Sequence, residues 1–159
     1  MSLAQKEAVV ALYIEVFSEP PRYEKIDSTL MMQELFSRNA LFTLLIQKNN
    51  QTIIGFIDTY SVDDFLDKHL LSCEGKKAGY ISDFALSSSV RGKGLGRKLL
   101  HHHLQKVSEI YNVLYSRSRR DVQNIVHLFT TAGFSIELDY MVTTNGVRSH
   151  KNIYKKVLS

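Results

Sequence analysis

The chain has no tryptophan, one cysteine and two prolines among 159 residues. A single thiol excludes an internal disulfide and a cysteine cage for zinc, and it points to a reducing, cytoplasmic compartment. Cys73 as a nucleophile would need a histidine partner that the sequence does not identify, so a structural thiol is the plainer reading. So few prolines, with eight glycines, leave little room for a disordered linker, and one domain over residues 1–159 is expected. No run approaches the ~20 apolar residues that span a bilayer, and Met1 to Lys6 lacks the apolar core of a signal peptide. No membrane partner is expected. Neither repeats nor low-complexity segments occur. Charge of neither sign dominates: 20 basic against 16 acidic residues give +4, a mild excess that suits an anionic ligand such as a nucleotide cofactor and equally a weak contact with nucleic acid.

What is present is a 44% hydrophobic chain with alternating helical and strand periods. Val9, Val10, Tyr13, Val16 and Phe17 mark a helix over 4–17, stopped by Pro20-Pro21. A second helix is expected from Ser28, as cap, to Arg38. Leu41 to Lys48 and Thr52 to Tyr60 read as a hairpin turned at Asn49-Asn50, residues tolerant of left-handed geometry. Val62, Phe65, Leu66, His69 and Leu70 have helical spacing, and Glu74 to Lys77 reads as a polar turn. Gly79 to Leu86 is a strand, followed by a polar loop over Ser87 to Lys93 and a helix from Leu95 to Glu109. Val113 to Ser116 is a short strand. Asp121 opens a further helix that Gly133 ends as a left-handed cap. Phe134 to Thr143 and His150 to Val157 are strands turned at Asn145-Gly146. The order predicts an α/β domain on a mixed sheet.

Arg91-Gly92-Lys93-Gly94-Leu95-Gly96 follows a strand and opens a helix. The first helical turn leaves four N–H groups without intrahelical partners, and the helix dipole adds positive charge there. Glycines let an anion approach those amides. Arg91, Lys93, Arg97 and Lys98 crowd the same end, where cations oppose the dipole by ~0.3–1 kcal/mol each. A bound phosphate resolves that cost; a solvated glycine turn with surface cations is the bland alternative. Neither G-x-x-x-x-G-K-[ST] nor G-x-G-x-x-G is met.

This turn resembles the Arg/Gln-x-x-Gly-x-Gly/Ala motif of the GNAT superfamily of acetyl-CoA-dependent N-acetyltransferases. Tyr80 to Leu86 resembles the strand before that motif, and Leu128-Phe129-Thr130-Thr131-Ala132-Gly133-Phe134 resembles the helix end Leu-Tyr-x-x-x-Gly-Phe. The resemblance covers about residues 78 to 135. It implies a mixed, mostly antiparallel sheet with splayed central parallel strands flanked by helices, and acetyl-CoA as cosubstrate with no metal. It assigns the pyrophosphate to Arg91, Gly92, Lys93, Gly94, Leu95 and Gly96 with Arg97 nearby. Phe84, Ala85 and Leu86 would pair with the pantetheine arm, and Asn124 would touch it. It also implies transfer to the amine of a small molecule, with protein N-termini or lysines as alternative acceptors and a non-catalytic acyl-CoA-binding module as a second class. No recognisable first strand precedes the initial helix.

An amine must lose its proton before it attacks, the oxyanion needs a donor, and the thiolate departs. The resemblance makes a main-chain amide near Leu86 the oxyanion donor. Asp83, on the strand leading into the site, is the expected base; pairing with a cation or solvent is its plain alternative. Phe129 stands where the family has its tyrosine acid and has no proton to donate, so Tyr140, Tyr115 or water takes that role, or the thiolate leaves unassisted. His101-His102-His103 point in different directions on a helix and make no metal site. Arg117, Arg119 and Arg120 lack an aromatic platform for nucleic acid and suit the cofactor 3′-phosphate or solvent. Phe17 to Glu24 either walls the acceptor site or is a rigid connector. Asp63, Asp64 and Asp67 hint at a cationic acceptor, which a solvated face explains as well. Assembly is left open, a homodimer included.

Overall fold

The computed structural model describes residues 1–20, 22–73, 76–144 and 146–158. Helix α1 (Leu3–Phe17) starts at a capping box in which Ser2 and Gln5 bond each other's backbone. It buries Val9, Val10, Leu12, Val16 and Phe17. Helix α2 (Ser28–Ser37) is capped by Asp27, not Ser28: the Asp27 carboxylate accepts from the Leu30 N–H at 2.9 Å. Aspartate caps at least as well as serine, and it stands one residue earlier.

Strands β1 (Leu41–Ile46) and β2 (Ile53–Ser61) form the expected hairpin. Its left-handed residue is Gln51, at φ 58°, rather than either asparagine; the Asn50 side chain instead accepts from the Thr52 N–H at 3.1 Å. The helix expected after β2 is replaced by two short 3₁₀ turns, Val62–Asp64 and Lys68–Leu70. Phe65 breaks the period by turning extended and burying its ring against Tyr80, with centroids 3.9 Å apart, while Leu66 is 91% exposed. Of the expected turn at Glu74 to Lys77, Glu74 and Gly75 lie outside the described residues, as do Pro21 and Asn145 of the other two punctuation points.

Then follow β3 (Ala78–Leu86), α3 (Leu95–Val107), β4 (Val113–Arg119), α4 (Gln123–Thr131), β5 (Ser135–Thr144) and β6 (Val147–Val157). Strand β4 runs three residues beyond the expected Ser116, and α4 starts after Asp121, whose carboxylate is held by Arg119. Gly133 ends α4 at φ 92°, as a left-handed cap requires. The six strands form one sheet in the order β1-β2-β3-β4-β6-β5, with only β3 and β4 parallel.

Two features of β3 position the site. It pairs with β4 over only four positions, Ala78↔Val113 to Ile81↔Ser116, after which the strands part. Against β2 it is bulged: Asp58 faces Asp83 and Thr59 faces Ile81, so Ser82 is an extra residue. Helices α1 and α2 cover one face over Phe56 and Ala85, beside an aromatic cluster of Tyr60, Phe65, Tyr80 and Tyr115. Helices α3 and α4 cover the other over Ile57, Ile81 and Tyr154. Among the three consecutive histidines, His103 is fully buried and bonds Thr43 at 2.8 Å and Thr59 at 2.7 Å.

Candidate active site

The chain leaves β3 through a short 3₁₀ turn (Ser88–Val90) and enters α3 by way of Gly92 and Gly94, at φ 78° and 76°. Side chains other than glycine seldom adopt that geometry, so these two glycines set the turn. Gly94 is the N-cap of α3, and no side chain caps the helix. Its first intrahelical bond is from Lys98 N–H to the Gly94 carbonyl, and the first turn holds no acid. The amides of Leu95, Gly96 and Arg97 are thus available to an anion. Gly96 has a different role: a Cβ there would sit in ordinary contact with the Phe84 ring, at 3.6 Å.

An open groove of about 470 Å³ runs from this turn between α1 and α4. Phe84, Leu86, Arg91, Gly92, Gly96 and Asn124 line it together. Lys93, Gly94 and Leu95 do not line it, and Arg97 lines a separate hollow between α3 and α4. The Ala85 side chain is buried on the α1 face, leaving only its backbone to serve a ligand. Arg91 is not a free cation: its Nε donates to the Leu86 carbonyl at 3.0 Å and its Nη1 to Glu19 at 3.0 Å.

The groove shares Arg22, Phe84 and Ile125 with a cavity of about 150 Å³ in the gap where β3 and β4 part. That cavity shares Tyr80, Ser82 and Arg117 with a third, of about 300 Å³, on the α1–α2 side. Tyr13, Glu34, Arg38, Tyr60, Phe65 and Asp83 are in the wall of the third cavity, so the first helices and the segment after β2 both contribute to it.

Asp83 has a partner that sequence reasoning missed. Its N–H donates to the Asp58 carboxylate at 2.8 Å, and Asp58 is 2% exposed. Burial and the neighbouring Asp83 charge hold the Asp58 carboxyl well above its ordinary range. Burial also raises Asp83, to about 6, against the pull of Ser82, Asp58 and Arg38. Two acids sharing a site do not both ionise easily, so the pair holds a proton at mildly acidic pH. The available signal was a lone carboxylate in the apolar run of β2.

Tyr140 lies behind this centre. Its hydroxyl accepts from Arg117 Nη1 at 3.0 Å, which also bonds Asp67 at 2.7 Å, and it lines neither the 150 Å³ nor the 300 Å³ cavity. Tyr115 is fully buried and donates to the Ser72 carbonyl at 3.0 Å. Tyr80 faces both inner cavities, and burial raises its pKa, as it does for Tyr13. Phe129 is 2% exposed, stacked on Tyr154 at 5.0 Å, and reaches the cavity at the parting strands. Arg119 is engaged by Asp121 and Arg120 by Asp139. No group of three or more His, Cys, Asp and Glu residues able to hold a metal occurs among the described residues.

A mixed sheet whose two parallel strands part beside a glycine turn at a helix N-terminus defines the acetyltransferase fold anticipated from the motifs. The model of the Acetyltransferase (GNAT) family matches residues 7–134, and the chain belongs to that family. No curated protein matches it. Among solved structures, it resembles a putative phosphinothricin N-acetyltransferase at 18% identity and TM-score 0.80, over 100% of this chain and 96% of the other. It resembles Arabidopsis thaliana NAA60 in complex with acetyl-CoA at 12% identity and TM-score 0.76, over 99% and 95%. The ribosomal-protein-S18-alanine N-acetyltransferase of Escherichia coli aligns at 17% identity and TM-score 0.74, over 100% and 91%.

Proposed function

We propose that the protein transfers an acetyl group from acetyl-CoA to a primary amine of a small molecule, by direct attack in a ternary complex. One observation carries this reading: the glycine turn of α3 lines a groove that shares wall residues with the cavity between β3 and β4, and that cavity shares wall residues with the one that Asp83 lines. The amides of the turn, with Arg97 nearby, bind the pyrophosphate. The edge of β3 from Ser82 to Leu86 has no β4 residue paired to it, which leaves backbone groups to hold the pantetheine arm and one N–H to receive the oxyanion. The acetyl thioester of the cosubstrate supplies the electrophilic carbonyl.

An alkylammonium with a pKa near ~10.4 carries no lone pair. Asp83 accepts its proton, and the raised pKa makes it a stronger base than an ordinary carboxylate. Phe129 has no proton for the departing thiolate, so Tyr80 or water supplies it, or the thiolate leaves as such. The 300 Å³ volume of the cavity beside Asp83 is the size of a small acceptor, which supports a small amine ahead of a protein terminus or lysine. Thiol release from acetyl-CoA across a panel of amines and of peptides with free N-termini tests the reading. Acceptor-dependent release from small amines is expected. Release with peptides alone moves the acceptor to proteins, and tight coenzyme A binding without release from any amine makes the domain a binding module.

A further inference from the structure

The cavity between the parting strands is walled by four cations from three parts of the chain. Arg22 comes from the connector after α1, Arg117 and Arg119 from β4, and Lys151 from β6, where it pairs with Arg119. Two of them are neutralised, Arg117 by Asp67 at 2.7 Å and Arg119 by Asp121 at 2.7 Å. The other two have no carboxylate within 4.0 Å among the described residues. Arg22 rests its guanidinium on the Phe17 ring, 4.5 Å from the centroid, and the Lys151 ammonium has no hydrogen-bond or ion-pair partner among the described residues. Glu24 also faces the cavity, without closing an ion pair with either.

This arrangement costs free energy as it stands. Burial, with Arg117, Arg119 and Arg22 acting in the same direction and Glu24 against them, lowers the Lys151 pKa to about 8. Burial lowers Arg22 too, with Arg119 adding to the effect and Glu24 opposing it. A half-buried lysine and arginine that repel one another are stabilised by an anion bound between them. The cavity has room for a carboxylate and the few carbons behind it, since a water occupies about 30 Å³. A guanidinium fork meets a carboxylate with two parallel bonds, and an ammonium adds a point charge.

Position says which anion. The glycine turn lines the long groove and not this cavity, which stands between that groove, reached through Arg22, Phe84 and Ile125, and the acceptor pocket, reached through Tyr80, Ser82 and Arg117. Resting on the transfer reading above, we propose that the acceptor is an amino acid, whose carboxylate is received by Arg22 and Lys151 while its amine faces Asp83. The two ends of one small zwitterion then meet opposite charges on either side of Ser82, which fixes the direction from which the amine approaches the thioester.

The test is acetyl transfer by the full chain to matched pairs, α- and ω-amino acids against their primary amides, read as thiol release. The acids are expected to exceed their amides about tenfold or more in kcat/KM. Lys151→Met and Arg22→Met should collapse that ratio toward one through KM, and Lys151→Arg should restore much of it. Amides as good as acids would overturn the assignment. So would an unchanged ratio in the variants together with weakened coenzyme A binding, because the cations would then belong to a cofactor phosphate. Silence from both series removes the transfer reading and this inference with it, whereas turnover of amides alone removes only the inference.

Discussion

Asp58 and Asp83 are two carboxyls on neighbouring strands, joined through a backbone N–H and both raised. Their folded pKa values exceed the unfolded ones, so they stabilise the fold at low pH and lose that contribution as pH rises through the folded values. Asp83→Asn removes the carboxyl that burial penalises. Urea denaturation is expected to show the variant gaining stability relative to wild type between pH 4 and pH 8, while transfer falls at least tenfold. Wild-type transfer should rise as pH climbs through about 6; a variant with the same profile would take Asp83 out of the role. Asp83 was legible in the sequence because it precedes the glycine turn on an assigned strand. Asp58 was not, because pairing across strands is a matter of register, which a residue pattern does not state. The helix cap was missed more simply: Asp27 and Ser28 are both good caps, and only geometry chooses between neighbours.

At the scale of elements, the turn into α3 is the best-read part of the chain, since positive φ at Gly92 and Gly94 leaves glycine little competition. A Cβ on Gly94 would meet nothing within 4 Å, so a side chain there costs only the backbone conformation, about 1 kcal/mol. Gly94→Glu is therefore expected to remain folded by circular dichroism yet lose coenzyme A binding by calorimetry, because it adds bulk and negative charge where the pyrophosphate sits. Unchanged affinity would place the cofactor elsewhere. The segment after β2 was misread for the opposite reason. Its apolar spacing fits a helix, but Phe65 gains more by stacking on Tyr80 than a short helix gains from its bonds, and the chain settles into two 3₁₀ turns.

Over the whole molecule, strand and helix order, the parallel pair and its parting agree with what the motifs implied, because hydrophobic period and a strongly patterned turn carry that information. The row of three adjoining cavities was not readable, since their walls join side chains from α1, α2, β3, β4 and β6. The sheet is tied to α3 by His103, whose two ring nitrogens bond Thr43 of β1 and Thr59 of β2. Burial, with Lys106 and His102, lowers its pKa to about 4. The unfolded chain binds this proton near pH 6.5 and the folded one does not, so the contribution, up to about 3 kcal/mol, is lost as pH falls from 6.5 towards 4. An NMR titration should show the His103 ring neutral down to about pH 4; protonation of His103 near 6.5 in the folded protein would refute this.

The bulge at Ser82 works like an extra tooth on one side of a zip. Before it, Tyr80 faces the first two helices; after it, Asp83 and Ala85 do, so the odd–even frame of the strand shifts by one. Deleting Ser82 would return β3 to an uninterrupted frame with every later side chain still on its face. The shortened strand should then run on alongside β4, detectable as new amide protection beyond Ile81, and transfer should be lost although Asp83 and the glycine turn remain. One surplus residue sits where this sheet stops completing itself, and the unfinished seam carries a cavity lined from both of its faces.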